Sequence, residues 1–83
     1  MTHHYRTKGV CASAIHFDII DDKVTNVKFD GGCHGNTQGI AKLVEGMSPE
    51  EVINRLSGIR CRIKNTSCPD QLATALHEAI NKE

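Results

Sequence analysis

The sequence has no tryptophan, no net charge and no long apolar run. Ten basic side chains balance ten acidic ones, and no basic stripe marks a nucleic-acid surface, so no nucleic-acid partner is expected. The longest apolar stretches are a few residues, too short to span a membrane. The opening residues, Met1-Thr2-His3-His4-Tyr5-Arg6, hold no apolar signal core, and two adjacent histidines are too few for a tag. A cytoplasmic protein with reduced thiols is the expectation. There is no repeat, low-complexity stretch or linker, so residues 1–83 read as a single domain. No C-x-x-C occurs, which removes ordinary zinc-finger and thioredoxin signatures.

What is present is a small core and a surplus of thiols. A chain of 83 residues buries about 60–65% of its unfolded surface, and a bound metal or partner subunit would add to a marginal core. Four cysteines, Cys11, Cys33, Cys61 and Cys68, are many for so short a cytosolic chain. Their bland reading is that of small core residues.

The periodicities give strands first and helices after. Residues 10–20 alternate, with Cys11, Ser13, Ile15, Phe17 and Ile19 on one face. Residues 24–30 follow a polar turn at Asp21-Asp22-Lys23, and residues 3–8 read as a short edge strand before Gly9. A three-residue loop at 21–23 would pair Ile20 with Val24, Phe17 with Val27, Ile15 with Phe29 and Cys11 with Cys33. Cross-strand partners have Cβ atoms roughly 4.5–5.5 Å apart, close enough for two thiolates to share a metal. A helix is expected at about 36–45, with Ile40, Leu43 and Val44 inward and Gly46 as its stop. Ser48-Pro49-Glu50-Glu51 caps and opens a second helix, which carries Val52, Ile53 and Leu56 inward. Thr66-Ser67-Cys68-Pro69-Asp70-Gln71 opens a third, with Leu72, Leu76 and Ile80 in a stripe. The order implies an α+β fold, an N-terminal antiparallel sheet of two to three strands packed by about three C-terminal helices.

Cys33 and Cys68 each fall just before a helix. A helix N-terminus presents free N–H groups and a partial positive charge, which favour thiolate, the form that binds metal. Cys11 lies beside Cys33 in the expected register, and Cys61 is near Cys68 in sequence. Three or four thiolates suit zinc or an iron–sulfur cluster, and spacing does not choose between them. His34 is a candidate fourth ligand or hydrogen-bond donor, or a solvent-facing loop histidine. His16 and His77 read as surface or packing residues, Asp18 and Asp30 as ordinary strand polar residues. The glycine-rich turn, with Gly32, His34, Gly35 and Asn36, also admits an anion or nucleotide site. It has no lysine and matches no P-loop.

The string Thr66-Ser67-Cys68-Pro69-Asp70 is the motif that names the TSCPD domain family. Gly31–Asn36, Gly9-Val10-Cys11 and Leu43–Met47 resemble the short free-standing members. Related domains lie at the C-terminal end of cobalamin-dependent ribonucleotide reductases. The resemblance therefore implies a ribonucleoside-diphosphate reductase association and a reductase or a metal- or cluster-handling protein as partner. Nothing resembles that enzyme's catalytic barrel, so reduction by this chain alone is not expected. The order of Cys11, Cys33 and Cys68 among the elements is also similar to NifU-type iron–sulfur scaffold proteins. Ser13 and Ser67 stand where those proteins carry an aspartate and a histidine, and Cys61 has no counterpart. The likeness thus implies a scaffold-like fold holding a metal rather than a working scaffold.

The leading expectation is a non-catalytic module binding zinc or an iron–sulfur cluster through Cys11, Cys33 and Cys68, with Cys61 or His34 as the fourth ligand. The alternatives are a thiol redox relay, a nucleotide-binding regulatory module, and an interaction domain with structural thiols.

Overall fold

Alternation of apolar and polar residues builds a hairpin in the first third of the chain, and the helices are laid against it. The computed structural model describes residues 2–32, 34–61 and 63–81. Its elements are β1 (Thr2–Arg6), β2 (Ala12–Ile20), β3 (Lys23–Gly31), α1 (His34–Val44), α2 (Pro49–Leu56) and α3 (Cys68–Asn81). The strands form an antiparallel sheet in the order β1-β2-β3. This is the α+β arrangement the patterning implies, and the edge strand at the N-terminus is present.

The hairpin register differs in detail. Its turn has two residues, Asp21 and Asp22, with φ of 53° and 62°. Two left-handed residues give a turn whose twist matches the strands. Ile20 therefore pairs with Lys23, not with Val24. A shift then falls between His16 and Asp18 on β2, opposite Asn26, which is itself left-handed at φ 55°. It takes up one residue, so Ile15 does face Phe29, while Phe17 is skipped and does not pair with Val27. A second shift lies between Ala12 and Ala14 and reverses the faces. Ala12 is buried and Ser13 exposed, so Cys11 does not continue the face of Ile15 and Phe17. The strand expected from residue 10 begins at Ala12, and Cys11 precedes it in a loop. Its expected cross-strand partner, Cys33, lies outside the described residues.

The helices cover one face of the sheet. Ile15, Phe17 and Val24 from the strands meet Val44, Val52, Leu72, Ala75, Leu76 and Ala79 in one core. Full burial of each large side chain among them contributes about 1.5–3 kcal/mol. α2 starts as its sequence dictates, with the Ser48 hydroxyl accepting from the Glu51 amide at 3.2 Å. After α1 the chain turns at Gly46, φ 83°, and lies along β3. The Val24 amide donates to Met47 O and the Gly46 amide to Val24 O, each at 2.8 Å. The Asn26 amide donates to Glu45 Oε1 at 3.0 Å. The other face of the sheet carries exposed His4, Arg6 and Lys28. No helix among the described residues is long and apolar enough to cross a membrane.

Candidate functional site

Three segments distant in sequence close around one cleft, and local hydrogen bonding accounts for each. The longest is the connection from α2 to α3. Ser67 caps α3, its hydroxyl oxygen accepting from the Asp70 amide at 3.2 Å while its O–H donates to Ile59 O at 2.7 Å. Asp70 accepts from the Gly58 amide at 2.7 Å and from the Thr66 hydroxyl at 2.5 Å. The Thr66 oxygen in turn accepts from Gln71 Nε2 at 3.1 Å. Within the loop the Cys61 amide donates to Thr66 O at 3.2 Å and the Lys64 amide to Cys61 O at 2.9 Å. Thr66, Ser67 and Asp70 are thus occupied in holding the loop to the helix start, and Pro69 fills a first-turn position where a missing N–H does no harm. Cys68 is the residue of the five whose side chain takes no part in this frame.

The second segment joins β1 to β2. Thr7 donates its hydroxyl to Ala12 O and its amide to Ser13 O at 3.2 Å. The Lys8 amide donates to Gln71 Oε1 at 3.0 Å, which ties this loop to α3. Gly9 takes φ 72°, with Thr66 Cγ2 3.6 Å from where a Cβ would stand. Cys11 sits at the end of this loop and is exposed.

The third segment is the glycine-rich end of β3 and the start of α1. Gly32, φ 82°, lies so close to β2 that a Cβ would meet Ala12 N at 3.2 Å and Ala12 Cβ at 3.3 Å. Only a residue without a side chain lets the strand end approach this closely. α1 then presents two faces. Val44 is buried in the core, whereas Asn36, Gly39 and Leu43 turn toward the cleft, with buried Thr37 at its floor. Leu43, expected inward, is therefore 79% exposed. The stripe that packs the core is narrower than the apolar positions suggest, and Leu43 falls beside it.

The resulting cleft encloses about 480 Å³, and Cys11, Cys61 and Cys68 all line it. The three thiols are free. Cys11 and Cys61 are exposed and Cys68 half-buried. Val10, Ile40, Leu43 and Pro69 give the cleft apolar walls, and Lys64 is the charged residue on its rim among the described residues. Cys33, the remaining thiol of the expected site, lies outside the described residues.

Among the described residues, no group of three or more His, Cys, Asp or Glu side chains stands close enough to hold an ion. The thiols share a cleft without forming a closed ligand set. The donor chemistry itself fits a soft metal: thiolates from separate loops are what zinc and iron–sulfur clusters take. His34 does not join them. It is the first residue of α1, exposed, with the Gln38 side-chain amide 2.8 Å from its ring Nε2. Of the glycine-turn residues, Gly35 and Asn36 line the cleft and Gly32 and His34 do not.

A second cluster was invisible to periodicity. On the uncovered sheet face His4 pairs in register with His16, and their Nδ1 atoms are 2.5 Å apart. His16 Nε2 lies 2.6 Å from Asp30 Oδ2. His16 and Asp30 read as separate surface residues in sequence. Only the pairing of β1 with β2 brings His4 to them.

Against known proteins, the model of the TSCPD domain matches residues 1–80. No curated protein and no solved structure matches the chain. The likeness to iron–sulfur scaffolds therefore rests on the order of cysteines alone.

Proposed function

We propose that this chain, which belongs to the TSCPD domain family, is a metal-binding module whose thiol ligands come from Cys11, Cys61 and Cys68, with Cys33 as the fourth. One observation carries the reading: three cysteines at positions 11, 61 and 68 converge on a single cleft. Chance placement of small apolar residues would leave them in separate parts of the core, yet two of the three are exposed. The motif supports it further, since the polar residues around Cys68 fix the backbone and leave the thiol unengaged.

Soft thiolate donors favour zinc or an iron–sulfur cluster over magnesium or calcium. The ligands are not gathered in advance. Loading would draw together the loops bearing Cys11 and Cys61, so binding and local ordering would be coupled, as in other small thiolate sites. Such a module works in a reducing compartment, which accords with a cytoplasmic location. Ile63 is fully exposed and Leu43 largely so, and both stand near the cleft in sequence or space. That apolar rim suits contact with a reductase or a cluster-handling protein.

Elemental analysis with thiol counting on protein purified anaerobically, without chelator, tests the proposal. Zinc near one per chain, or iron with sulfide and visible colour, is expected. Folded, metal-free protein with four freely reactive thiols would refute it. A thiol redox relay is the second reading, favoured by two exposed free cysteines on one cleft. It requires a cysteine pair that oxidises and reduces reversibly at a defined potential.

A further inference from the structure

We propose that His4 and His16 form a second metal site, for a zinc-class divalent transition-metal ion, on the sheet face opposite the helices. None of its residues lines the cysteine cleft, so it stands whether or not the thiols bind metal. The two histidines are directly paired across β1 and β2, which fixes their Cβ atoms on one face at cross-strand distance. Their rings meet edge to face with centroids 4.7 Å apart, and the two Nδ1 atoms point at each other 2.5 Å apart. That is shorter than an ordinary N–H···N contact. Two nitrogen lone pairs do not approach so closely with nothing between them. At this spacing one ring donates an N–H to the other, and a metal ion would take the place of that proton.

The far side of His16 is arranged as a metal ligand's would be. Its Nε2–H donates to Asp30 Oδ2 at 2.6 Å. That bond fixes the tautomer, leaving the Nδ1 lone pair directed at His4. A carboxylate holding the second nitrogen of an imidazole is the usual outer support of a metal-ligating histidine, and it raises ligand basicity. In the metal-bound form His4 carries its proton on Nε2 and offers Nδ1. With metal–nitrogen bonds of 2.0–2.1 Å, the two Nδ1 atoms would stand about 2.9–3.4 Å apart. Reaching that spacing requires the exposed rings to part by less than about 1 Å. Imidazole donors suit zinc, copper and nickel. Two protein ligands leave the remaining positions to water or to a group from outside. Lys28, the cross-strand neighbour of His16 on β3, adds a positive charge nearby and keeps affinity modest.

The experiment is a zinc titration of the intact protein labelled with ¹⁵N in its histidine rings. The Nδ1 signals of His4 and His16 should shift together while both Nε2 atoms keep their protons. Asp30→Asn should weaken this binding about 10- to 100-fold, and His16→Ala should weaken it more. Prior alkylation of the cysteines should leave the histidine response in place, which separates this site from the thiol site. If zinc in excess leaves either ring unmoved in folded wild-type protein, the pair shares only a proton and the proposal is wrong. The wild-type measurement decides this even where a variant fails to fold.

Discussion

The side-chain carbonyl of Gln71 accepts a hydrogen bond from the backbone amide of Lys8 at 3.0 Å, and this bond couples the loop ending in Cys11 to the helix that begins with Cys68. Gln71 is buried, with its other amide atom donating to Thr66. Replacing it with leucine keeps the bulk and removes both bonds. Gln71→Leu should cost about 1–3 kcal/mol, read from urea unfolding. It should also speed alkylation of Cys11 relative to Cys68. Equal reactivity in mutant and wild type would show that the loop is held by something else.

The two glycines flanking Cys33 and His34 should answer to alanine in opposite ways. Gly32 is left-handed and abuts Ala12, so Gly32→Ala should lose about 1–2 kcal/mol from the backbone alone. Gly35 lies in the first turn of α1 with nothing within 4 Å of a built Cβ. Gly35→Ala should be neutral or stabilising by up to about 1 kcal/mol. Paired denaturant curves measure the contrast.

Leu76 and Leu43 are both leucines on helices, but only Leu76 is core. Leu76 is fully buried and Leu43 79% exposed. Leu76→Ala should cost about 2–5 kcal/mol, a large share of what so small a domain possesses. Leu43→Ala should stay within about 0.5 kcal/mol while stripping one wall from the cleft. A loss of metal affinity or partner binding without loss of stability is the expected signature, read by calorimetry beside thermal melts.

Tyr5 titrates above the usual phenol range, chiefly through burial, with the Glu78 and Asp70 carboxylates adding to it. The neutral phenol is thus favoured in the folded state. Its contribution to stability is complete below about pH 10, the unfolded value, and declines as pH rises from there through the folded value. The chain has one tyrosine and no tryptophan, so phenolate absorbance reports this group without interference. The native midpoint should lie above about 10 and fall back to about 10 in denaturant. Glu78→Gln should lower the native midpoint part of the way.

Much of this architecture is legible in the residues. The cap at Ser48, the first-turn Pro69 and the stripe of Leu72 and Leu76 announce two helices, because capping and periodicity are local signals. The hairpin is legible as far as Ile15 and Phe29. Its register near the turn is not, since an Asp-Asp pair gives little hint of two left-handed residues where glycine or asparagine would. The bulge at Asn26 and the shift at Ser13 come from fitting a twisted sheet to its helices, and that information is spread along the chain. Leu43 misleads for the same reason: a helix with two contact faces looks like one with a broad face. The convergence of Cys11, Cys61 and Cys68 was foreseeable only as a wager on loop geometry, because loops of that length can reach many places. The pairing of His4 with His16 depends on where β1 docks, which β1 itself barely specifies.

The way the chain runs past Val24 has a consequence for solubility. With the amides of Val24 and Asn26 spent on Met47 and Glu45, the outer margin of β3 offers no free ladder near the turn. A neighbouring molecule cannot extend the sheet there without first unzipping its own interhelical connection. Fibril-like stacking through that margin is therefore disfavoured, and a guard against self-association is written into the same short stretch that carries the chain from one helix to the next.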